Sequence, residues 1–219
     1  MVGTNKKMPA GFHGGNIMIY LGQVYSHDPK TVVKELAQNI IDACGVDGKG
    51  HIIVDLKKRT VRSYDNGRGS SEEEMTIRIS QIGARMKTDD NIGQKGIGNL
   101  GGVLLGESYR MITRERDAKP RTNFFSVEIE KSRLKESEVA FDFNDLPNFT
   151  FSSGKHEGSS TLVEIRGIPK SALNELNRAE NPAEMLAEEI ANAYSLKLRE
   201  KRIKITVEVI KENGTEQTV

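Results

Sequence analysis

Cysteine is nearly absent from this chain: Cys44 is the sole one in 219 residues. That excludes an internal disulfide and suits a reducing compartment. As a nucleophile Cys44 has no support, and a small residue filling space near a helix end is the plainer reading. No apolar run approaches the roughly 20 residues of a membrane-spanning helix, and the N-terminus lacks a signal-peptide core. Neither sign of charge dominates, with 32 basic against 31 acidic residues, so composition gives no electrostatic case for nucleic acid or anionic lipid. The one basic stretch, Lys197 to Arg202, reads as a solvated helix end. Repeats and low-complexity tracts are lacking too. A soluble cytoplasmic protein is expected, without membrane contact.

Length allows a full core and one domain over residues 1–219, with 1–16 a loose glycine-rich arm. A helix is expected from Asp28-Pro29 to about Gly45, with Pro29 in its first turn and Val32, Val33, Leu36 and Ile40 on one side. Strands follow at 51–56 and 60–64. Ser70 or Ser71 before Glu72-Glu73-Glu74 reads as a capped helix start, with acids at the positive end of the dipole. Residues 80–97 read as a polar loop, and 107–114, 122–130 and 160–166 as strands. A helix carrying Met185, Leu186, Ile190 and Tyr194 precedes a last strand, 203–210. Residues 131–158 carry no motif and fit either an insertion or a hairpin. Without regular βαβ alternation, the order implies an α+β sandwich, a mixed and largely antiparallel sheet covered by helices. The chain stops soon after its last strand, as a domain cut from a longer protein would.

What is abundant is glycine in one place, with six between Gly93 and Gly106. Such density suggests a backbone that approaches something closely, since glycine has no Cβ and tolerates positive φ. Exposed N–H groups in such turns cradle anions, and a helix opening at Leu100, Val103 and Leu104 would add its own. Gly96, Gly98 and Gly101 spell G-x-G-x-x-G, but the residues before them, 86–91, are polar rather than a buried strand. The dinucleotide reading fails on that context. A P-loop fails as well, because no Gly-Lys-Ser/Thr stands at the required spacing.

On the first helix Glu35, Asn39 and Asp42 fall within about 60° of one another, opposite the apolar side. A solvated face would explain them, yet asparagine is a poor mid-helix residue. Glu35 has the chemistry of a general base toward water. The Asn39 carbonyl oxygen is a hard ligand of the kind magnesium prefers. Asp65-Asn66-Gly67-Arg68-Gly69 then follows a strand. A turn needs only one Asn-Gly pair; the second glycine and the leading Asp suggest a backbone bending round a ligand edge. A buried carboxylate there would accept a hydrogen bond from an exocyclic amine such as adenine N6.

Glu35-x-x-x-Asn39-x-x-Asp42-Ala43, Asp65-x-Gly67-x-Gly69 and Gly93-x-x-Gly96-x-Gly98 resemble, in order and rough spacing, the N, G1 and G2 boxes of the GHKL ATPases. That superfamily takes in gyrase B, Hsp90, sensor histidine kinases and MutL. Tyr25-Ser26, Lys34-Glu35-Leu36, the run from Ile92 to Gly98 and Met111-Ile112-Thr113-Arg114 are most similar to the Hsp90 branch. The resemblance spans about residues 20–210 and implies a Bergerat-type two-layer sandwich with helices on one face. It implies ATP and Mg2+ as cofactors and slow hydrolysis to ADP and phosphate. Glu35 would activate the attacking water and Asn39 would ligate magnesium. Asp65 would read the adenine amine, with Gly69 packed near the base and Asp42 and Gly67 completing their boxes. Gly93, Gln94, Lys95, Gly96, Ile97 and Gly98 would close over the phosphates as the end of a mobile lid, and Lys87 and Lys95 are candidates for phosphate contact. Thr161 would support Asp65, although Ser160 stands where the family usually has glycine.

Lid closure over ATP would then gate a conformational change and a nucleotide-dependent homodimer, with a client protein or DNA engaged by domains outside this chain. Two alternatives stand beside the Hsp90-like reading. One is the ATPase domain of a DNA-linked machine resembling MutL or MORC. The other is a non-catalytic nucleotide sensor, against which the presence of both Glu35 and Asn39 argues.

Overall fold

The computed structural model describes residues 5–9, 28–80, 102, 104–118, 122–136, 139–151 and 154–219. Nine strands form one sheet: β1 (Asn5–Pro9), β2 (Lys49–Asp55), β3 (Thr60–Asp65), β4 (Ser108–Thr113), β5 (Phe124–Glu130), β6 (Ala140–Leu146), β7 (Thr161–Arg166), β8 (Lys204–Ile210) and β9 (Glu216–Thr218). Their order across the sheet is β1-β6-β5-β4-β7-β3-β2-β8-β9. Only β2 and β8 pair in parallel; every other neighbour is antiparallel. Among the described residues four long α-helices accompany it: α1 (Pro29–Ala43), α2 (Glu72–Ser80), α3 (Lys170–Arg178) and α4 (Pro182–Glu200). The expected mixed, largely antiparallel α+β architecture is present.

Register places Val54, Val61, Ile165, Tyr109 and Ile129 in one row across the sheet, and Ile52, Ser63, Val163, Met111 and Val127 in the next. Nearly all of these join one buried cluster with Val33, Leu36 and Ile40 of α1, Met75 of α2, Leu173 and Leu176 of α3, and Leu186 and Ile190 of α4. Alternate residues point to opposite faces of a strand, so the helices share one face. Helix α1 starts where Asp28 accepts from Lys30 N at 3.0 Å, with Pro29 in the first turn. It stops where Cys44 turns extended, φ −84° and ψ 139°. Lys201 donates to the Ile41 carbonyl at 2.8 Å and the Cys44 carbonyl at 3.4 Å. A cation at a helix C-terminus suits the dipole, so the basic stretch is more than a solvated end. Cys44 is buried and its thiol is pushed up to about 12 by burial first and by the Asp65 charge next, which leaves it unreactive.

Four elements depart from expectation or go beyond it. Residues 5–9 are not a loose arm but an edge strand on β6, where Met8 packs on the core and Pro9 costs no ladder bond at the terminus. Residues 140–146 pair with β5, so the unread segment contains the hairpin of its two alternatives. Helix α3 and strand β9 were not foreseen.

The opposite face carries an aromatic and titratable group. His156 stacks on Tyr64 at 3.6 Å and on His51 at 5.1 Å between ring centroids. His51 Nε2 lies 3.2 Å from Glu208 Oε2, to which Lys155 also comes within 3.1 Å. Burial is the main cause that lowers both imidazoles from 6.5, and Arg62 and Lys155 add to it, against Glu208. Neutral in the fold, they take up protons on unfolding once the pH falls below about 6.5, so their stabilisation is present above that pH and lost below it. His156→Phe keeps a ring on Tyr64 and cannot titrate. Its melting temperature is expected to fall less than the wild type's between pH 7 and pH 5.5; parallel curves would remove His156 from the acid response.

Candidate functional site

Strand β3 ends at Asp65, and the core-face row at that level reads Gly50, Asp65, Thr161, Thr113, Phe125. Beyond Asp65 the chain leaves the sheet without making a hairpin. Asn66 Oδ1 accepts from Lys49 N at 2.7 Å, tying the exit to the start of β2. Gly67 N–H turns back to Asp65 Oδ1 at 2.8 Å, an Asx-type turn. Arg68 N donates to the Ala43 carbonyl at 3.0 Å, and a Cβ on Gly67 would stand 2.6 Å from that same oxygen. The Asp65–Gly69 segment and the C-terminal end of α1 are therefore in contact, bringing two of the three sequence motifs together.

Asp65 is 8% exposed. Both donors that reach its carboxylate, Gly67 N–H and the Ser160 hydroxyl at 3.4 Å, meet Oδ1. Among the described residues no donor reaches Oδ2. Burial raises this carboxyl from 3.8 to about 7, against the two hydrogen bonds, which lower it. A buried charge normally needs compensation from partners, so a carboxylate held through one oxygen and left open at the other is poised for a donor from outside.

Thr161 sits in register with Asp65 on the adjacent strand, but its hydroxyl lies 3.1 Å from Thr113 Oγ1 rather than on the carboxylate. Thr113 in turn accepts from Ser70 N at 3.2 Å. Ser160 is the residue that reaches Asp65. The sequence marked it only as a departure from a family pattern, and marked Thr113 only as part of a family-like stretch, with no role beside Asp65.

Gly69 has φ +66°, and a Cβ there would lie 1.8 Å from the Arg114 carbonyl oxygen. Gly102 and Gly106, the described members of the glycine run, press on β7: added Cβ atoms would meet Ile165 Cδ1 at 2.9 Å and the Arg166 carbonyl at 2.5 Å. Part of that glycine density thus serves helix-to-sheet packing. Lys87, Gly93, Gln94, Lys95, Gly96, Ile97 and Gly98 lie outside the described residues.

Glu35, Asn39 and Asp42 are half-buried along α1. The Tyr194 hydroxyl of α4 donates to Gln38 Oε1 at 3.3 Å. Its phenol is pushed up to about 12, first by burial and then by the Glu35 and Asp42 carboxylates. The stripe therefore lies within electrostatic reach of α4, and Tyr194, marked in the sequence only as one of the residues that helix carries, belongs to its surroundings. Among the described residues no cluster of three or more His, Cys, Asp or Glu side chains is arranged to hold a metal, and no helix is long and apolar enough to cross a membrane. No protein-family model and no curated protein matches the chain.

Proposed function

We propose that this chain is an adenine-nucleotide-binding domain of the GHKL type, with a Bergerat-type sandwich and Mg2+-dependent, slow ATPase activity nearest the Hsp90 branch. The observation that carries the reading is Asp65, a buried carboxylate anchored at Oδ1 and met by no donor at Oδ2 among the described residues. An exocyclic amine supplies that donor, and the hydrogen bond it makes to a charged acceptor contributes roughly 1.5–3 kcal/mol. Thr161 and Thr113 line the same row of the sheet, and hydroxyls there suit the polar edge of a base.

The end of α1 touches the Asp65 loop through Ala43, so its polar stripe runs away from the base site, where phosphates would extend. Asn39 offers a neutral oxygen to magnesium, which commonly completes its shell with waters and substrate phosphates rather than an all-protein cage. The bound ion would neutralise phosphate charge. Glu35 would accept the proton of the attacking water, and Gly93 to Gly98, outside the described residues, are assigned by the family resemblance to excluding solvent over the phosphates. The cycle of closure and hydrolysis would gate a homodimer or a client attached through other domains.

Calorimetric titration of Mg-ADP into the wild type and Asp65→Asn tests this. Measurable binding, weakened at least tenfold in the variant, is the expected result. Equal affinities would move the nucleotide away from Asp65.

A further inference from the structure

Ser160 is 2% exposed and holds three oxygens of the β3 exit at once. Its Oγ lies 2.7 Å from the Gly67 carbonyl, 3.4 Å from Asp65 Oδ1 and 3.4 Å from the Asp65 carbonyl. Its backbone N–H donates to the Asp65 carbonyl at 2.8 Å, and its own carbonyl accepts from Arg114 N at 3.3 Å. The main chain of Ser160 is thus pinned between β3 and the end of β4, while the hydroxyl has one proton for three acceptors.

We infer that Ser160 is a positioning residue whose hydroxyl proton turns between the Gly67 carbonyl and Asp65 Oδ1, favouring the ionised Asp65 carboxylate and leaving Oδ2 to the ligand. Its meaning for base recognition rests on the nucleotide reading above. When Asp65 is neutral, the shorter bond to Gly67 holds the proton. When Asp65 is ionised, a charge-assisted bond to Oδ1 draws it over, and such bonds are about twice as strong as neutral ones. The swing needs only rotation about the Ser160 Cβ–Oγ bond, because the backbone is held by β-type hydrogen bonds on both sides.

Other groups around Asp65 do not supply this control. Helix α1 brings the neutral Cys44 thiol, which is coupled to Asp65. Strands β7 and β4 bring the Thr161 and Thr113 hydroxyls, which face each other. On the loop, Arg68 is paired with Glu74, and Arg116 donates to the Asn66 carbonyl. Burial, Gly67 and Ser160 are the influences that set the Asp65 carboxyl, and of these only the Ser160 side chain can be removed without touching the backbone.

The test follows Asp65 directly, by 13C NMR titration of its carboxyl carbon in the full ligand-free chain, for wild type, Ser160→Ala and Ser160→Gly. The midpoint is expected to rise by about one pH unit in both variants, since loss of a hydrogen bond to the ionised form disfavours it. A midpoint unchanged in whichever variant folds overturns the inference. Mg-ADP titrations of the same proteins between pH 6 and pH 9 supply the second readout. Ser160→Ala is expected to bind about fivefold more weakly at pH 7 and to recover at pH 9, where Asp65 is ionised regardless. A loss of the same size at every pH would mark Ser160 as merely structural and overturn the assignment. If the wild type binds no nucleotide, the proposed function fails, and the NMR midpoint still decides the role of Ser160.

Discussion

Asp65→Asn is expected to make the ligand-free protein more stable than the wild type at pH 8, and by only about a quarter as much at pH 4.5. The folded chain keeps the Asp65 proton up to about pH 7, whereas the unfolded chain releases it near 3.8. Between those values the native state binds more protons, so stability falls as pH rises, by up to about 1.4 kcal/mol per pH unit. By pH 8 the accumulated cost is on the order of 4 kcal/mol. Asparagine keeps an oxygen for Gly67 N–H and the Ser160 hydroxyl and carries no charge into the core. Urea denaturation at the two pH values measures the difference. A variant less stable than wild type at pH 8 would show that the carboxylate is compensated in the fold.

The sign of that prediction separates a ligand-reading group from a structural one. A structural carboxylate is matched by its donors and loses stability when removed; one kept for a ligand burdens the empty protein and is repaid on binding. The same linkage makes affinity pH-dependent: an amine donating to Oδ2 favours the ionised form, so wild-type binding weakens as pH falls below about 7. The two histidines on the opposite face respond the other way, losing their contribution as pH falls below about 6.5. The pH profile of the wild type is therefore flatter than either part, and single variants are needed to expose each.

The elements visible in the sequence were those with a strong period or a strong cap. In α1 the apolar spacing, Asp28 and Pro29 all agree, and the helix spans Pro29–Ala43. Strand β1 offers Lys6 and Lys7 with one core residue, Met8, and an edge strand stabilised by one partner needs no more. Helix α3 has just Leu173 and Leu176 buried and no side-chain cap, too little for periodicity to register. Strand β6 did alternate, with Phe141 and Phe143 inward, but nothing beside it named a partner. At the site, Asp65 and its glycines were legible because local turn chemistry restricts them. Ser160 and Thr113 were not, since their roles arise from pairings across 95 and 48 residues that no local pattern encodes.

Gly69→Ala is expected to be the most damaging single methyl group in the described structure. Two costs coincide at this position. A left-handed φ of +66° disfavours any Cβ, by about 1–2 kcal/mol. The Cβ would also fall 1.8 Å from the Arg114 carbonyl oxygen, and main-chain oxygen cannot swing aside as a side-chain tip does. To relieve the overlap, Arg114 would have to leave β4's end, where its N–H donates to the Ser160 carbonyl and the neighbouring Arg116 N–H donates to the Arg68 carbonyl at 2.9 Å. The expected loss is about 4 kcal/mol or failure to fold, a magnitude reserved for such clashes. Gly214→Ala provides the comparison: its φ is +87°, yet nothing lies within 4 Å of the added Cβ, so only the conformational cost of about 1–2 kcal/mol applies. Chemical denaturation of both variants separates the two costs. Equal losses would mean that the β4 end yields easily. A much larger loss at Gly69 means that the second glycine of the Asp65 motif is required by the chain's own closure around the site, whatever ligand the carboxylate reads.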